Sequence, residues 1–381
     1  MITDSPHLYR HQGRSERVAD EVIDTALELA GQVEERGLLP VLTLKHLAHS
    51  TGASYDYLRS VVERRHDPYK DISLRRRNGH RMRSISTPDP TMMGVQKWIL
   101  NGIVGRLPSH SNSFAYSRGR SVRACAQKHL GAQWLVKLDI RDFFETIDER
   151  QVYEVFVEAG YQPLVSLELA RLCTRYAGHA MHIDSDKYRA SGSYMIIERY
   201  TKQLLGFLPQ GAPTSGALAN QVARGIDKRL TLLAKKYGAV YTRYADDMTF
   251  SSASDFNRKT AVNIVRCATA SIRKEGFIVH GQKTKIVPPG ARKIVLGLLV
   301  DGDKLRLNKK MRARLTNHVW AVDRFGLTRH VQHANFSSID GFVHHISGLL
   351  AFASDIDPDW SRQIAARWDD LLRRDKWKGS I

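Results

Sequence analysis

An α+β core with helical flanks is the fold class this sequence predicts, on three observations. GAQWLVKLDI at 131–140 is an apolar run that reads as a buried strand. AVYTRYADDMTFSS at 239–252 alternates on both sides of a tight acidic turn, the pattern of a β-hairpin. Helical patterns lie between and around these segments, and hairpins mixed with helices in this way point to α+β.

Each element follows in order. Residues 15–36 read as an amphipathic helix ending near Gly37, with Pro40 just beyond. Residues 42–63 carry two short helical patterns around a turn at Thr51-Gly52, either a helix-turn-helix or an ordinary helical hairpin. The polar turn RRRNGH leads into RMRSIST, a strand reaching Pro88, and a helix follows near 91–106. After the strand at 131–140 comes a helical stretch from Glu149 to about Tyr176, then a polar Ser/Gly-rich insertion at 178–200. Helices at 214–237 and 258–275 flank the hairpin. GFIVH (276–280) and RKIVLGLLV (292–300) read as further strands, and the remainder is mostly helical.

Composition narrows the function. In 381 residues, two or three domains by length, Lys+Arg is 58 against Asp+Glu 39, a formal charge of +19 with pI ≈ 9.9. A hydrophobic fraction of 42% supports a sizeable core, so the surplus is carried by a folded protein and predicts a polyanionic partner, nucleic acid before membrane. The acid-bearing start MITDSPHLYRHQG excludes a signal peptide, and no apolar run approaches the ~20 residues that span a bilayer. Cys125, Cys173 and Cys267 lie far apart, which excludes a disulfide framework or a Cys-rich zinc site and fits a reducing cytoplasm. The basic residues concentrate in two segments. Arg59–Arg83 holds nine Lys/Arg against Glu63, Asp67 and Asp71, and Lys304–His330 holds eight against Asp323.

The most informative residues are Asp139, at the end of the strand in KLDIRDFF, and Asp246 and Asp247, at the hairpin tip in TRYADDMTF. Adjacent aspartates at a turn are ordinary turn chemistry. Two acids at one strand end facing a third from another strand are also how a protein builds a two-metal site. Phosphoryl transfer needs the attacking oxygen activated and the leaving pyrophosphate neutralised, which two Mg²⁺ ions about 3.5–4 Å apart accomplish. The acids suit a nucleotide polymerase or a nuclease alike. Other metal-like spacings carry less. Cys125 and His129 sit four apart without further ligands. His179, His182, Asp184 and Asp186 read as a polar insertion. Asp355, Asp357 and Asp359 lack the glycine and terminal glutamate of a calcium loop and read as a turn before a helix.

The ordered set LDIRDFF (138–144), LPQGAPTSGALAN (208–220), YADD (244–247), GFIVHGQKTKI (276–286) and IVLGLLV (294–300) resembles the palm motifs of reverse transcriptases, over roughly 75–300. The compact length and short spacing between motifs resemble the bacterial retron type. The resemblance implies a right-hand polymerase with an N-terminal helical region at 1–60, fingers at 61–132, a palm at 133–290 and a palm end with an RNA-binding helical thumb at 291–381. It implies that Asp139, Asp246 and Asp247 bind two Mg²⁺ ions, with the Ile140 carbonyl as a further ligand. Phe144, five residues after Asp139, would block a ribose 2′-OH, although a core Phe fits the same position. Gln210 and Gly211 would pack beside the incoming dNTP. Arg81 and Arg83 would clamp its triphosphate, where the planar guanidinium suits phosphate, with Arg81 alternatively a plain exposed strand residue. Lys283 would lie near the leaving pyrophosphate, and Lys285 is either its companion or a solvated charge.

Two retron segments are altered. An Asn-Ala-x-x-His motif reads Cys125-Ala126-Gln127-Lys128-His129, and a Val-Thr-Gly motif reads Val295-Leu296-Gly297. The resemblance implies RNA contacts from His129, Val295 and Gly297, and from Lys309, Lys310, Arg312 and Arg314 in the basic segment. It also implies a structured noncoding RNA as template and 2′-OH primer, a branched RNA–DNA product, an anti-phage role with a separate effector protein, and a cytoplasmic site of action. The alternatives are another bacterial reverse transcriptase, of intron or different defence type, and a non-enzymatic RNA-binding scaffold. The intact aspartate set argues against the scaffold.

Overall fold

The computed structural model of the chain describes residues 6–75, 82–176, 205–253 and 256–377. It opens with four helices, α1 (Pro6–Ser15), α2 (Asp20–Glu35), α3 (Leu44–Thr51) and α4 (Tyr55–Val62). The helix expected from residue 15 starts only at Asp20, because Arg17 adopts a left-handed φ of 60°. Asp20 and Glu21 then suit the positive end of the helix dipole. α1, which the sequence reading missed, buries no residue and is tied to α2 by the Arg10–Asp24 and Arg14–Asp20 ion pairs. Leu44, Leu47 and Ala48 of α3 and Leu58, Val61 and Val62 of α4 all enter one core, so this pair is a packed helical hairpin.

Strands β1 (Tyr69–Arg75) and β2 (Met82–Pro88) form an antiparallel ribbon. Helix α5 (Pro90–Gly102) follows, capped by the Asp89 side chain, which accepts from the Met92 N–H. α6 (Val122–Gln127) precedes β3 (Trp134–Asp139). The helical stretch expected over 149–176 splits into α7 (Glu149–Glu158) and α8 (Pro163–Cys173). Gly160, at φ 103°, turns the chain, and Pro163 can only begin a helix. α9 (Ser215–Val222) and α10 (Arg224–Lys236) meet at Ala223 and lead to β4 (Val240–Tyr244), β5 (Asp247–Ser252) and α11 (Arg258–Lys274). The chain ends with β6 (Lys285–Val287), β7 (Ile294–Val295), β8 (Leu298–Leu299), β9 (Arg306–Leu307) and the helices α12 (Lys309–Phe325), α13 (Leu327–His333), α14 (Ile339–Ile356) and α15 (Pro358–Arg374). The insertion expected at 178–200, with His179, His182, Asp184 and Asp186, lies outside the described residues.

The central sheet has the order β4-β5-β3-β6, with every pair antiparallel. Period-two alternation sorts its side chains. Val136 and Leu138 of β3 and Met248 and Phe250 of β5 enter a large core built with α2–α5 and α7–α11. Leu135 faces the other way, into a second cluster with β7–β9 and α12–α15. Lys137 and Asp139 share the face of Leu135, and Asp247, Thr249 and Ser251 stand opposite this row.

Two expected strands are corrected. GFIVH makes a single bridge, Val279 to Ile140, and the pairing continues only at Lys285–Val287. RKIVLGLLV is a hairpin, because Leu296 (φ 49°) and Gly297 (φ 85°) are both left-handed and form a two-residue turn between Val295 and Leu298. Leucine is strained there by roughly 1–2 kcal/mol, whereas Asn tolerates this conformation. Leu296→Asn is therefore expected to raise stability by about 1 kcal/mol in urea denaturation; an unchanged or lower midpoint would count against the strain. Among the described residues no helix is long and apolar enough to cross a membrane.

Candidate active site

The sheet itself places the three aspartates. β4 and β5 are joined by a two-residue turn, Ala245-Asp246, with Tyr244 opposite Asp247. Ala245 is left-handed at φ 56°, which lets the hairpin close this tightly. Asp247 is then directly across from Asp139 on β3, and the Asp246 carbonyl accepts from the Ile140 N–H at 3.1 Å. Like charges directly opposite one another are unfavourable in a sheet. Burial, then the Asp139 charge, pushes the Asp246 carboxyl above the usual range. Burial also raises Asp247, with the Asp139 charge adding and Lys137 opposing.

Two lysines answer this negative charge. Lys283, at the end of a 3₁₀ turn at Gly281–Lys283, donates from Nζ to both Asp139 oxygens at 2.8 Å. Lys137 Nζ lies 3.7 Å from Asp247 Oδ2. The resemblance sets Lys283 near a pyrophosphate, whereas Lys137 carries no local signal and its place beside Asp247 comes from sheet register alone.

The residues fit a hard divalent cation by donor chemistry: carboxylates on adjacent strand ends, two held above their ordinary range by burial and mutual repulsion. Among the described residues no three-ligand cluster is preformed, and Lys283 occupies both oxygens of Asp139. Lys283 is nearly half exposed, so its ammonium can exchange for another cation.

The loop after Asp139 turns at Asp142, left-handed at φ 46°, and sends two rings in different directions. Phe143 is buried, packed on Phe277 and under the Arg243 guanidinium. Phe144 is half-buried and meets Tyr116 edge to face at 6.0 Å. Of the two rings, Phe144 is the one left accessible at the site, though it also packs against the core.

Gln210 and Gly211 meet the ribbon. The Ser86 N–H donates to the Gln210 carbonyl at 2.8 Å, and Gly211 has φ 122°. A Cβ at Gly211 would lie 2.6 Å from Ile85 Cγ2 and 2.9 Å from the Ser86 carbonyl oxygen, so only glycine allows this approach. Arg83 lies in β2 opposite Leu74, three residues before Ser86. Arg81 lies outside the described residues. Arg175, which had no sequence signal, clamps the ribbon: it reaches Asp67, Asp71 at 2.6 Å and Ser86 at 3.0 Å, with its guanidinium over Tyr69.

The expected RNA contacts are partly corrected. His129 is 1% exposed, held between Ser251 Oγ and Thr242 Oγ1, each at 2.7 Å. From the turn after α6 it braces the hairpin that carries Asp246 and Asp247, and it has no surface to offer RNA. Cys125 reaches the same Thr242 hydroxyl. Val295 is likewise buried, and Gly297 serves the turn, its carbonyl accepting from Asn308 at 2.7 Å. Lys309, Lys310 and Arg314 are exposed, whereas Arg312 pairs with Asp357 and lies over Trp360. The basic run from Arg59 is also less free than composition implied. Arg59 and Arg65 pair with Glu63, and Arg64 is buried against Glu149 at 2.5 Å.

His129 also sets an acid limit. Burial pushes it down to about 3, against an ordinary value near 6.5. The unfolded chain takes up this proton below about 6.5 while the folded one refuses it. The stabilisation is therefore complete above that pH and lost as pH falls toward 3, by up to about 1.4 kcal/mol per unit. His129→Gln should flatten the decline of urea midpoint between pH 6.5 and 4; an unaltered slope would contradict the buried neutral state.

Comparison with known proteins agrees with this geometry. The family model described as reverse transcriptase (RNA-dependent DNA polymerase) matches residues 75–306. Relatives include the retron Mx162 reverse transcriptase of Myxococcus xanthus, 31% identical over 312 residues, which covers 76% of this chain and 60% of that protein. The retron Mx65 enzyme of the same organism is 29% identical (88% of this chain, 73% of the relative), and the Escherichia coli retron Ec86 enzyme 26% (86% and 88%). The chain thus spans three-fifths of the length of the Mx162 relative. A solved foamy viral protease-reverse transcriptase in complex with ds DNA superposes at TM-score 0.40 and 12% identity, over 82% of this chain and 40% of that one. With the family's model covering more than half of its length and the acids on adjoining strand ends, this chain belongs to the reverse transcriptase (RNA-dependent DNA polymerase) family and is of the retron type.

Proposed function

We propose that the chain is an RNA-directed DNA polymerase that copies a dedicated structured noncoding RNA. The observation that carries this is Asp139 set opposite Asp247, with Asp246 at the adjoining turn. Asp139, Asp246, Asp247 and the Ile140 carbonyl would hold two Mg²⁺ ions, which when bound activate the primer hydroxyl and neutralise the leaving pyrophosphate. Lys283 would leave Asp139 and turn its ammonium to the pyrophosphate. Gln210 and Gly211 would support the incoming dNTP against β2, Arg81 and Arg83 would hold its triphosphate, and Phe144 would stand where a ribose 2′-OH would be.

The basic helix α12 supports an RNA partner. Lys309, Lys310 and Arg314 are exposed on it, and such phosphate contacts weaken with salt. The finer reading follows the retron resemblance: priming from a 2′-OH of the same RNA, a branched RNA–DNA product, a cytoplasmic role in phage defence, and a separate effector protein. The test is to purify the chain from its host, treat the bound nucleic acid with RNase or DNase, and sequence it. One RNA species joined to DNA complementary to it supports the reading. Heterogeneous cellular RNA without DNA overturns it.

A further inference from the structure

Tyr116 is a large aromatic residue left 57% exposed beside the candidate site, and its backbone is left-handed at φ 53°. A tyrosine in that conformation is strained and persists only when its surroundings over-determine it. The surroundings here do so. Residues 112–114 run along β4: the Arg243 N–H donates to the Asn112 carbonyl at 2.8 Å, and the Phe114 N–H to the Arg243 carbonyl at 2.9 Å. The buried Asn220 of α9 then grips both neighbours of Tyr116, donating to the Ala115 carbonyl at 2.6 Å and the Ser117 hydroxyl at 3.3 Å. Asn220 Oδ1 meanwhile accepts from Ser113 and from Arg243. The loop is thus fixed to the strand that ends in the catalytic turn and to the helix that follows Gln210 and Gly211.

Two neighbours of the ring bear on the site. One is Phe144, edge to face at 6.0 Å. The other is the backbone of Gly216 in the first turn of α9, where an added Cβ would lie 2.4 Å from Tyr116 Cγ. A ring so close requires glycine at 216, and the ring in turn limits where Phe144 can move.

We propose that Tyr116 is a positioning residue for sugar selection, a second ring that holds Phe144 in the place where it excludes a ribose 2′-OH. The inference rests on the polymerase reading above. Without Tyr116, Phe144 keeps its bulk and loses a lateral stop, so a ribonucleotide is admitted at lower cost while deoxynucleotide addition continues. The strain at Tyr116 is explained by this task, since a relaxed backbone would carry the ring away from Phe144. Gly216→Ala should act in the same direction by displacing the ring from the other side.

The experiment measures kcat/KM for dGTP and GTP on an RNA template with the wild-type chain, Tyr116→Phe, Tyr116→Ala, Gly216→Ala and Phe144→Ala. Aromatic pair energies correspond to a fall of roughly two- to tenfold in the dGTP:GTP ratio for Tyr116→Ala and Gly216→Ala. The larger fall belongs to Phe144→Ala, and Tyr116→Phe keeps the wild-type ratio. A Tyr116→Ala ratio equal to wild type overturns the proposal. So does an equal loss toward both nucleotides, which is the signature of mere structural damage. Tyr116→Leu, which retains bulk without the ring, separates damage to the loop from loss of the aromatic stop by showing the same altered ratio at normal thermal stability. A wild-type chain that incorporates neither nucleotide overturns the polymerase reading itself, a result distinct from an unchanged ratio.

Discussion

The double substitution Asp246→Asn with Asp247→Asn is expected to reduce dNTP incorporation to background while RNA remains bound and the fold remains intact. Asparagine keeps the size of each side chain, so the two-residue turn and the pairing of Asp247 with Tyr244 and Asp139 are undisturbed. What is lost is charge. Both carboxyls are held above the ordinary range by burial first, with the Asp139 charge adding. A carboxylate whose folded-state pKa is raised weakens the folded state at neutral pH, since the unfolded chain bears that charge more easily. The neutral variant should therefore melt no lower than wild type, and it should melt higher if the repulsion is as the geometry shows. Thermal melting, retention of co-purifying RNA and incorporation of labelled dNTP form the test. Substantial incorporation by the variant would remove these residues from catalysis. A lower melting temperature would contradict the charge argument independently of activity.

The second large effect belongs to residues that touch no substrate. Arg243 of β4 and Asp227 of α10 are both fully buried, paired at 2.6 Å (Nη2 to Oδ2) and 2.8 Å (Nε to Oδ1). Arg243 also donates to Asn220, to Ser113 and to the carbonyl of Ala245, the left-handed residue of the β4–β5 turn. Tyr241 adds a hydrogen bond to Asp227. Removing one member strands the other charge in the core, so Asp227→Ala should cost about 3–5 kcal/mol. Against a typical total of about 5–15 kcal/mol this threatens the fold. Replacing both together, Asp227→Leu with Arg243→Met, should recover much of the stability, because no unpaired charge remains. It should not recover activity, because the Arg243 hydrogen bonds to the Ala245 carbonyl and to Asn220 are then gone. Urea denaturation and incorporation assays separate the two: a single variant within 1 kcal/mol of wild type, or a fully active double variant, would show that the pair neither supports the core nor holds the turn.

Much of the arrangement of the candidate site was legible in the residues themselves. A strand ending in Asp139 and a hairpin with Asp246 and Asp247 at its tip are local patterns, set by alternation and by a two-residue turn. Gln210 and Gly211 were legible for the same reason, since the need for glycine arises within a few residues of backbone. Reading failed where a side chain's partner lies far along the chain. Lys283 reaches Asp139 across 144 positions, Arg175 reaches Asp71 across 104, and Arg64 reaches Glu149 across 85. His129 carried a family expectation of RNA contact, yet a neutral imidazole between two hydroxyls satisfies a buried position fully. The charge surplus misled partly in the same way: Arg64 looked free because Glu149 lies 85 positions away, although Arg59 and Arg65 pair with the neighbouring Glu63.

By itself, then, the sequence determined the class of fold, the order of its strands and helices around the β4–β5 turn, and the place of the three aspartates at strand ends, because periodicity and turn chemistry act over a few residues. Only the tertiary structure decided which cations answer those aspartates, which arginines are committed to the core, and that Tyr116 stands against Phe144. Those choices depend on distances between segments brought together by burial of the two cores, and no local pattern encodes such a distance.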